Sequence, residues 1–319
     1  MSRSPKRVLA EALAVGKQAL PDYSHKYSPK KFTQPQLFAC LVLKELLKID
    51  YRGLVEHLSD AAEWRETIQL KSVPHFTTVE KAGKRLLKAQ FAKRLLQTTL
   101  KRARRKRRLR RAIKQAAIDS SGFEAHHASR YFVRRCAKGQ KSSGKKQSLT
   151  YRHFPKMAVI SDCQSHLVLG LHFERGPKND LGHFGKLFCE VWQEHRLSTL
   201  YADAGYDAEW VHEVVREEFG VRTVIPAQIG RPSDQPPSGH YRRWMRYNLH
   251  RTNYGQRWQV ETVFSMIKRR LGSTLGANSY WSQRRAAWLK VIAHNILILW
   301  RFLNVFYRAG QKPFSLPKR

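Results

Sequence analysis

Hydrophobic positions recur at helical spacing through the first third of the chain. They then give way to short apolar runs broken by Gly, Pro and Asp. From Thr33 onward, Leu37, Phe38, Leu41, Val42, Leu46 and Leu47 recur three and four residues apart, the stripe of an amphipathic helix. Thr33 suits its N-cap and Pro35 its first turn. A second short helix is expected over 51–59, and a third from Thr77 or Thr78 to Leu87, after a turn containing Pro74. Residues 1–30 are polar and basic and read as a flexible arm. Residues 31–100 read as a small all-helical domain.

Beyond residue 111 the period changes. An apolar run over 112–118 ends in Asp119-Ser120-Ser121-Gly122, a strand running into a turn. Runs over 157–160 and 166–173 are joined by S-D-C-Q-S and predict a hairpin, with Asp162 in its turn. A helix over 180–195 follows, capped by Asp180, with Phe184, Leu187, Phe188, Val191 and Trp192 facing inward. The next strand, 197–202, ends at Asp203. Asp207 is placed to start the helix over 208–219, and a strand over 221–225 is closed by Pro226. Two segments read as flexible and basic: an insertion over 124–153 and a loop over 227–253. A helix over 254–268 and a final helix over 283–306 complete the series. Strands alternating with helices after residue 112 predict an α/β domain over 112–319.

Charge sharpens the picture. The chain of 319 residues has 60 Lys and Arg against 24 Asp and Glu, a net charge of +36. Such an excess calls for a polyanionic partner, and nucleic acid fits better than an anionic membrane surface. Nine of the eleven residues over 101–111 are basic; this stretch reads as a phosphate-contacting linker between domains. Cys40, Cys136, Cys163 and Cys189 form no C-x2-C pair, so neither a zinc site nor a disulfide framework is expected. No signal peptide is apparent. The apolar run over 288–306 is interrupted by Lys290, His294 and Arg301 and reads as a buried helix. A cytoplasmic, nucleoid-associated protein is the expectation.

The helix over 254–268 carries Tyr254, Arg257, Glu261 and Lys268 within an arc of roughly 60° at 100° per residue. Val260, Val263, Phe264, Ile267 and Leu271 form the neighbouring apolar face. The alternative to a functional stripe is a solvated face with helical charge pairs. The spacing Y-x2-R-x3-E-x6-K resembles the signature of DDE transposases of bacterial insertion sequences.

That resemblance implies a ribonuclease-H-like catalytic core, its mixed sheet flanked by helices and preceded by a helical DNA-binding domain. It makes Asp119, Asp203 and Glu261 the metal-binding, catalytic triad, and Tyr254, Arg257 and Lys268 contacts to DNA. It further implies two Mg²⁺ ions, with Mn²⁺ able to substitute, and double-stranded DNA as partner, both the inverted repeats of the element and the target. A homodimer on paired ends follows from the same resemblance. Asp207 and Glu124 are read as helix-starting and loop acids. Some relatives carry a large β-rich insertion between the second Asp and the Glu; here only 58 positions separate Asp203 from Glu261. An aromatic base-holding site from such an insertion is therefore not carried over, nor is a hairpin intermediate; Trp244, Trp258 and Trp281 have the chemistry to stack on a flipped base but read first as core or interface aromatics. The competing readings are another nuclease of the same fold, such as a junction resolvase, and a non-catalytic DNA-binding protein descended from a transposase.

Overall fold

The computed structural model describes residues 4–125, 154–227, 235–277 and 279–309. The chain divides into two compact units, Met1–Arg111 with Leu289–Arg319, and Ala112–Trp288.

The first unit is helical: α1 (Pro5–Ala19), α2 (Gln34–Leu47), α3 (Tyr51–Asp60), α4 (Ala62–Thr67), α5 (Phe76–Leu86) and α6 (Ala89–Arg105). Helix α2 begins with a complete capping box, Thr33 with Gln36, and α3 begins on the Asp50 carboxylate. The expected flexible arm is instead α1. Its Val8, Leu9, Ala12, Leu13 and Val15 are buried, and it packs on α2 and α6. The helical period of those apolar residues outweighs the basic composition around them. The expected linker also differs. Helix α6 runs into it as far as Arg105, with Leu100, Ala103 and Leu109 buried. Two of its cations serve an internal acid: Glu11 accepts from Arg102 at 2.7 Å and from Lys106 at 2.9 Å. Burial pushes the Glu11 carboxyl up, but these two partners outweigh it and hold the group below the usual carboxylate range.

The second unit holds the strands β1 (Ala112–Ile113), β2 (Ala116–Gly122), β3 (Phe154–Asp162), β4 (Val168–Gly176), β5 (Arg196–Leu197), β6 (Thr199–Tyr201) and β7 (Arg222–Val224). Between and after them lie α7 (Leu181–Glu194), α8 (Glu209–Glu213, continuing as a π-helical turn over Val214–Glu218), α9 (His240–Asn248), α10 (Trp258–Leu271) and the start of α11 (Tyr280–Ala309), whose residues from Leu289 onward belong to the first unit. The main sheet has the order β4-β3-β2-β6-β7. Strands β2 and β3, and β3 and β4, are antiparallel; β6 runs parallel to both β2 and β7. Strand β3, an interior strand, is buried on both faces, as a sheet covered on both sides requires. Helix α10 packs on β2 and β3, and α7 packs on β3 and β4.

Three expectations change here. Asp119 lies inside β2 rather than at its end, because the pairing with β3 continues to Gly122 opposite Lys156. The loop expected over 227–253 contains α9; residues 228–234 lie outside the described residues, as do residues 126–153 of the insertion expected over 124–153. The helix expected from Tyr254 starts with a 3₁₀ turn, Tyr254–Arg257, and becomes α-helical only at Trp258.

Candidate active site

The parallel pairing of β2 with β6 matches Ala116 to Leu200 and Ala117 to Tyr201. The chain beyond each pair leads to an acid: Asp119 two residues on in β2, and Asp203 just past the end of β6. Side chains alternate across a strand, so Asp119 and Ser121 share one face of β2 and Ser120 takes the other. Helix α10 covers the Asp119 face. Its apolar stripe, Val260, Val263, Phe264, Ile267 and Leu271, is buried, and this fixes the rotation that turns Glu261 and Lys268 toward β2.

Arg257 joins the acids. Its Nη1 lies 3.6 Å from Asp119 Oδ2, and its Nη2 donates to Glu261 Oε1 at 2.5 Å. Asp119 is mostly buried, with a side chain 16 % exposed, whereas that of Glu261 is 48 % exposed. Burial pushes the Asp119 carboxyl up to about 6; the Ser120 amide and Arg257 pull it down, and the charges of Asp203 and Glu261 add to the rise. Asp203 and Glu261 are thus each close enough to act electrostatically on Asp119. The Asp203 carboxylate closes its own turn, accepting from the Gly205 amide at 2.9 Å. Tyr254 stands beside Arg257, Asp203 and Asp119; burial raises its phenol. Lys268 sits further along β2, donating to Ser121 Oγ at 2.7 Å with Phe123 beneath it at 5.0 Å. Burial lowers its ammonium.

Among the described residues no group of three or more His, Cys, Asp or Glu side chains already closes on a point where a metal ion would sit. The donor chemistry nevertheless suits one. Carboxylate oxygens are hard ligands, and Asp119 is ionised only against the cost of burial beside two other acids. A dication would relieve that cost.

The surroundings hold several corrections. Asp207 does not occupy the N-cap of α8, which falls on Ala208. Its side chain is fully buried and is gripped by Arg242, through Nε at 3.0 Å and Nη2 at 2.8 Å. Glu209 accepts from the amides of Tyr241 at 2.8 Å and Arg242 at 3.1 Å, and so holds the start of α9. Asp180 stands at the N-cap of α7 but makes no capping bond with its side chain. Asp162 is the turn acid expected, accepting from Ser165 N at 2.8 Å and Ser165 Oγ at 2.5 Å. Trp244, Trp258 and Trp281 are exposed and form no part of the core. The contact of Ser120 Oγ with Asp180 Oδ1 at 2.6 Å has no local signal: the alternation of β2 turns Ser120 away from Asp119, and Asp180 reads only as a cap.

A family profile for the transposase DDE domain matches residues 91–296. The chain belongs to the DDE transposase family, and its function is that of a DNA transposase. No curated protein sequence matches it. Among solved structures it is similar to a piggyBac transposase in a synaptic complex with hairpin DNA, at 11% identity over 97% of this chain and 74% of that one, with a TM-score of 0.46. It is also similar to the Mos1 mariner paired-end complex with Mn, at 12% identity over 96% and 87% of the two chains, with a TM-score of 0.28. A pre-cleavage Mos1 transpososome gives 12% identity, 93% and 84% coverage and a TM-score of 0.24. Those likenesses are faint, and membership of the family stands without them. No helix among the described residues is long and apolar enough to cross a membrane.

Proposed function

We propose that the second unit is a ribonuclease-H-like core that cuts the ends of its element and joins the resulting 3′-hydroxyl ends to target DNA. The observation that carries this reading is that one guanidinium, Arg257, stands between Asp119 and Glu261, while the charge of Asp203, just past the end of the neighbouring parallel strand, also acts on Asp119. The sheet order, with only β3 running against its neighbours β2 and β4, supports the fold assignment.

Asp119, Asp203 and Glu261 are the residues to hold two divalent ions, Mg²⁺ with Mn²⁺ as substitute. Such ions, when bound, help activate the attacking oxygen and stabilise the leaving one. Asp119, buried and held by the Ser120 amide, offers a fixed ligand. Glu261, half exposed, is free to adjust. Arg257 has the fork geometry to take a phosphate, and Lys268 acts as a point charge further along the strand. The Tyr254 hydroxyl donates to a phosphate oxygen. Arg257 also balances the acids, so its release from Glu261 and its capture of phosphate are coupled. The partners are the duplex inverted repeats of the element and target DNA, in the cytoplasm, with two copies of the chain on paired ends. The helical first unit and its basic end over 101–111 are the proposed DNA-binding portion.

The test is cleavage of a duplex carrying the element's own end. Asp119→Ala, Asp203→Ala and Glu261→Ala each abolish Mg²⁺-dependent cutting while mobility-shift assays still show DNA binding. Cutting retained in all three variants would reject the triad. A wild-type protein that binds its ends but never cuts them leaves the non-catalytic reading.

A further inference from the structure

On the face of the sheet opposite Asp119 lies a buried polar chain that the chemistry above does not use. Asp180 Oδ1 accepts from Ser120 Oγ at 2.6 Å and from Lys156 Nζ at 2.7 Å. Lys156 is buried, donates also to the Lys178 carbonyl at 2.6 Å, and lies 3.8 Å from Glu174 Oε1. The Ser120 amide in turn donates to Asp119 Oδ1 at 2.7 Å. Four residues from β3, the start of α7 and β2 are thus linked in the order Lys156, Asp180, Ser120, Asp119. The second oxygen of Asp119, Oδ2, is the one that faces Arg257. The other oxygen of Asp180 also has a place. A Cβ added at Gly205 would meet Asp203 Oδ1 at 3.0 Å and Asp180 Oδ2 at 3.5 Å, so Asp180 backs the turn that presents Asp203.

We propose that Asp180 is a positioning residue for the strand-cleavage reaction: it fixes Ser120, and through the Ser120 amide it fixes which oxygen of Asp119 faces the metal ions. This rests on the reading of Asp119 as a metal ligand. Asp180 makes no capping bond to α7; its Oδ1 is taken up by Ser120 and Lys156 instead. Burying a lysine is costly unless its charge is paired; Asp180 meets that need for Lys156 and places a negative charge behind both aspartates. Partners one step removed from metal ligands typically change metal affinity about 10- to 100-fold when they are removed.

The test uses the full chain and two readouts, Mn²⁺ binding followed by electron paramagnetic resonance and the Mg²⁺ dependence of end cleavage. Asp180→Asn and Ser120→Ala are each expected to weaken Mn²⁺ binding about tenfold, and to raise the half-saturating Mg²⁺ concentration by a similar factor. At saturating metal most of the rate returns. Ser120→Thr keeps the hydroxyl and stays near wild type. If Asp180→Asn fails to fold, the contrast between Ser120→Ala and Ser120→Thr decides. Asp119→Ala is the control. Loss of Mn²⁺ binding there, with wild-type affinity in Asp180→Asn and Ser120→Ala, overturns the positioning role alone. Mn²⁺ binding retained in Asp119→Ala overturns the triad, and this proposal with it.

Discussion

Asp119 is where burial and the proposed metal-binding role conflict. An acid whose folded-state pKa is raised to about 6 from 3.8 binds more protons folded than unfolded between those two values. Stability therefore falls as pH rises through this window, and at neutral pH the ionised carboxylate costs up to about 3 kcal/mol. Without divalent ions, Asp119→Asn should melt several degrees above wild type at pH 7, and the gain should vanish below pH 4. A variant that melts lower at pH 7 would show that Asp119 is not strained. The local pattern marked Asp119 only as an acid where an apolar strand meets D-S-S-G, a place that suits a turn residue equally well; its place in a triad came from the family resemblance, and the strand in fact runs on to Gly122. Its partners Ser120 and Asp180 were not legible, since their meeting depends on a register that pairs strands far apart in sequence. Asp207 misled for a similar reason. A short acid before a helix has a local role available, and only the tertiary fold reveals Arg242 as its partner.

Among elements, α2, α3 and α5 were legible because each combines a clear period with a recognisable start or stop. Helix α1 was equally periodic, and its basic residues obscured it. Leu9 is fully buried there. Leu9→Ala should thus cost about 2–5 kcal/mol, read as a lower denaturant midpoint by circular dichroism; no change would restore the flexible arm. The start of α10 was misjudged because a 3₁₀ turn and an α-helix share their residue preferences and differ only in pitch. Even so, Arg257 and Glu261 kept the four-residue contact that the spacing implied.

For the whole molecule, a net charge of +36 makes association with DNA a salt-sensitive equilibrium. Affinity for the element's end should fall about a thousandfold or more between 50 and 200 mM salt, measured by fluorescence anisotropy. A flat dependence would mean that the cations serve the fold rather than DNA. Composition alone gave this expectation, but not the division into units. The first unit takes in segments from both sides of the second, a relation that no local pattern announces. It is closed by pairs far apart in sequence: Lys290 Nζ meets Glu45 Oε1 at 2.5 Å, and Asn295 Nδ2 donates to Thr99 Oγ1 at 3.1 Å. The α/β unit is thus an insert within a helical host. Translation proceeds from the N-terminus, so the whole insert has been synthesised before the host receives its last segment. A ribosome halted just short of Leu289 would hold every residue of the insert and a host still lacking the lysine that neutralises Glu45.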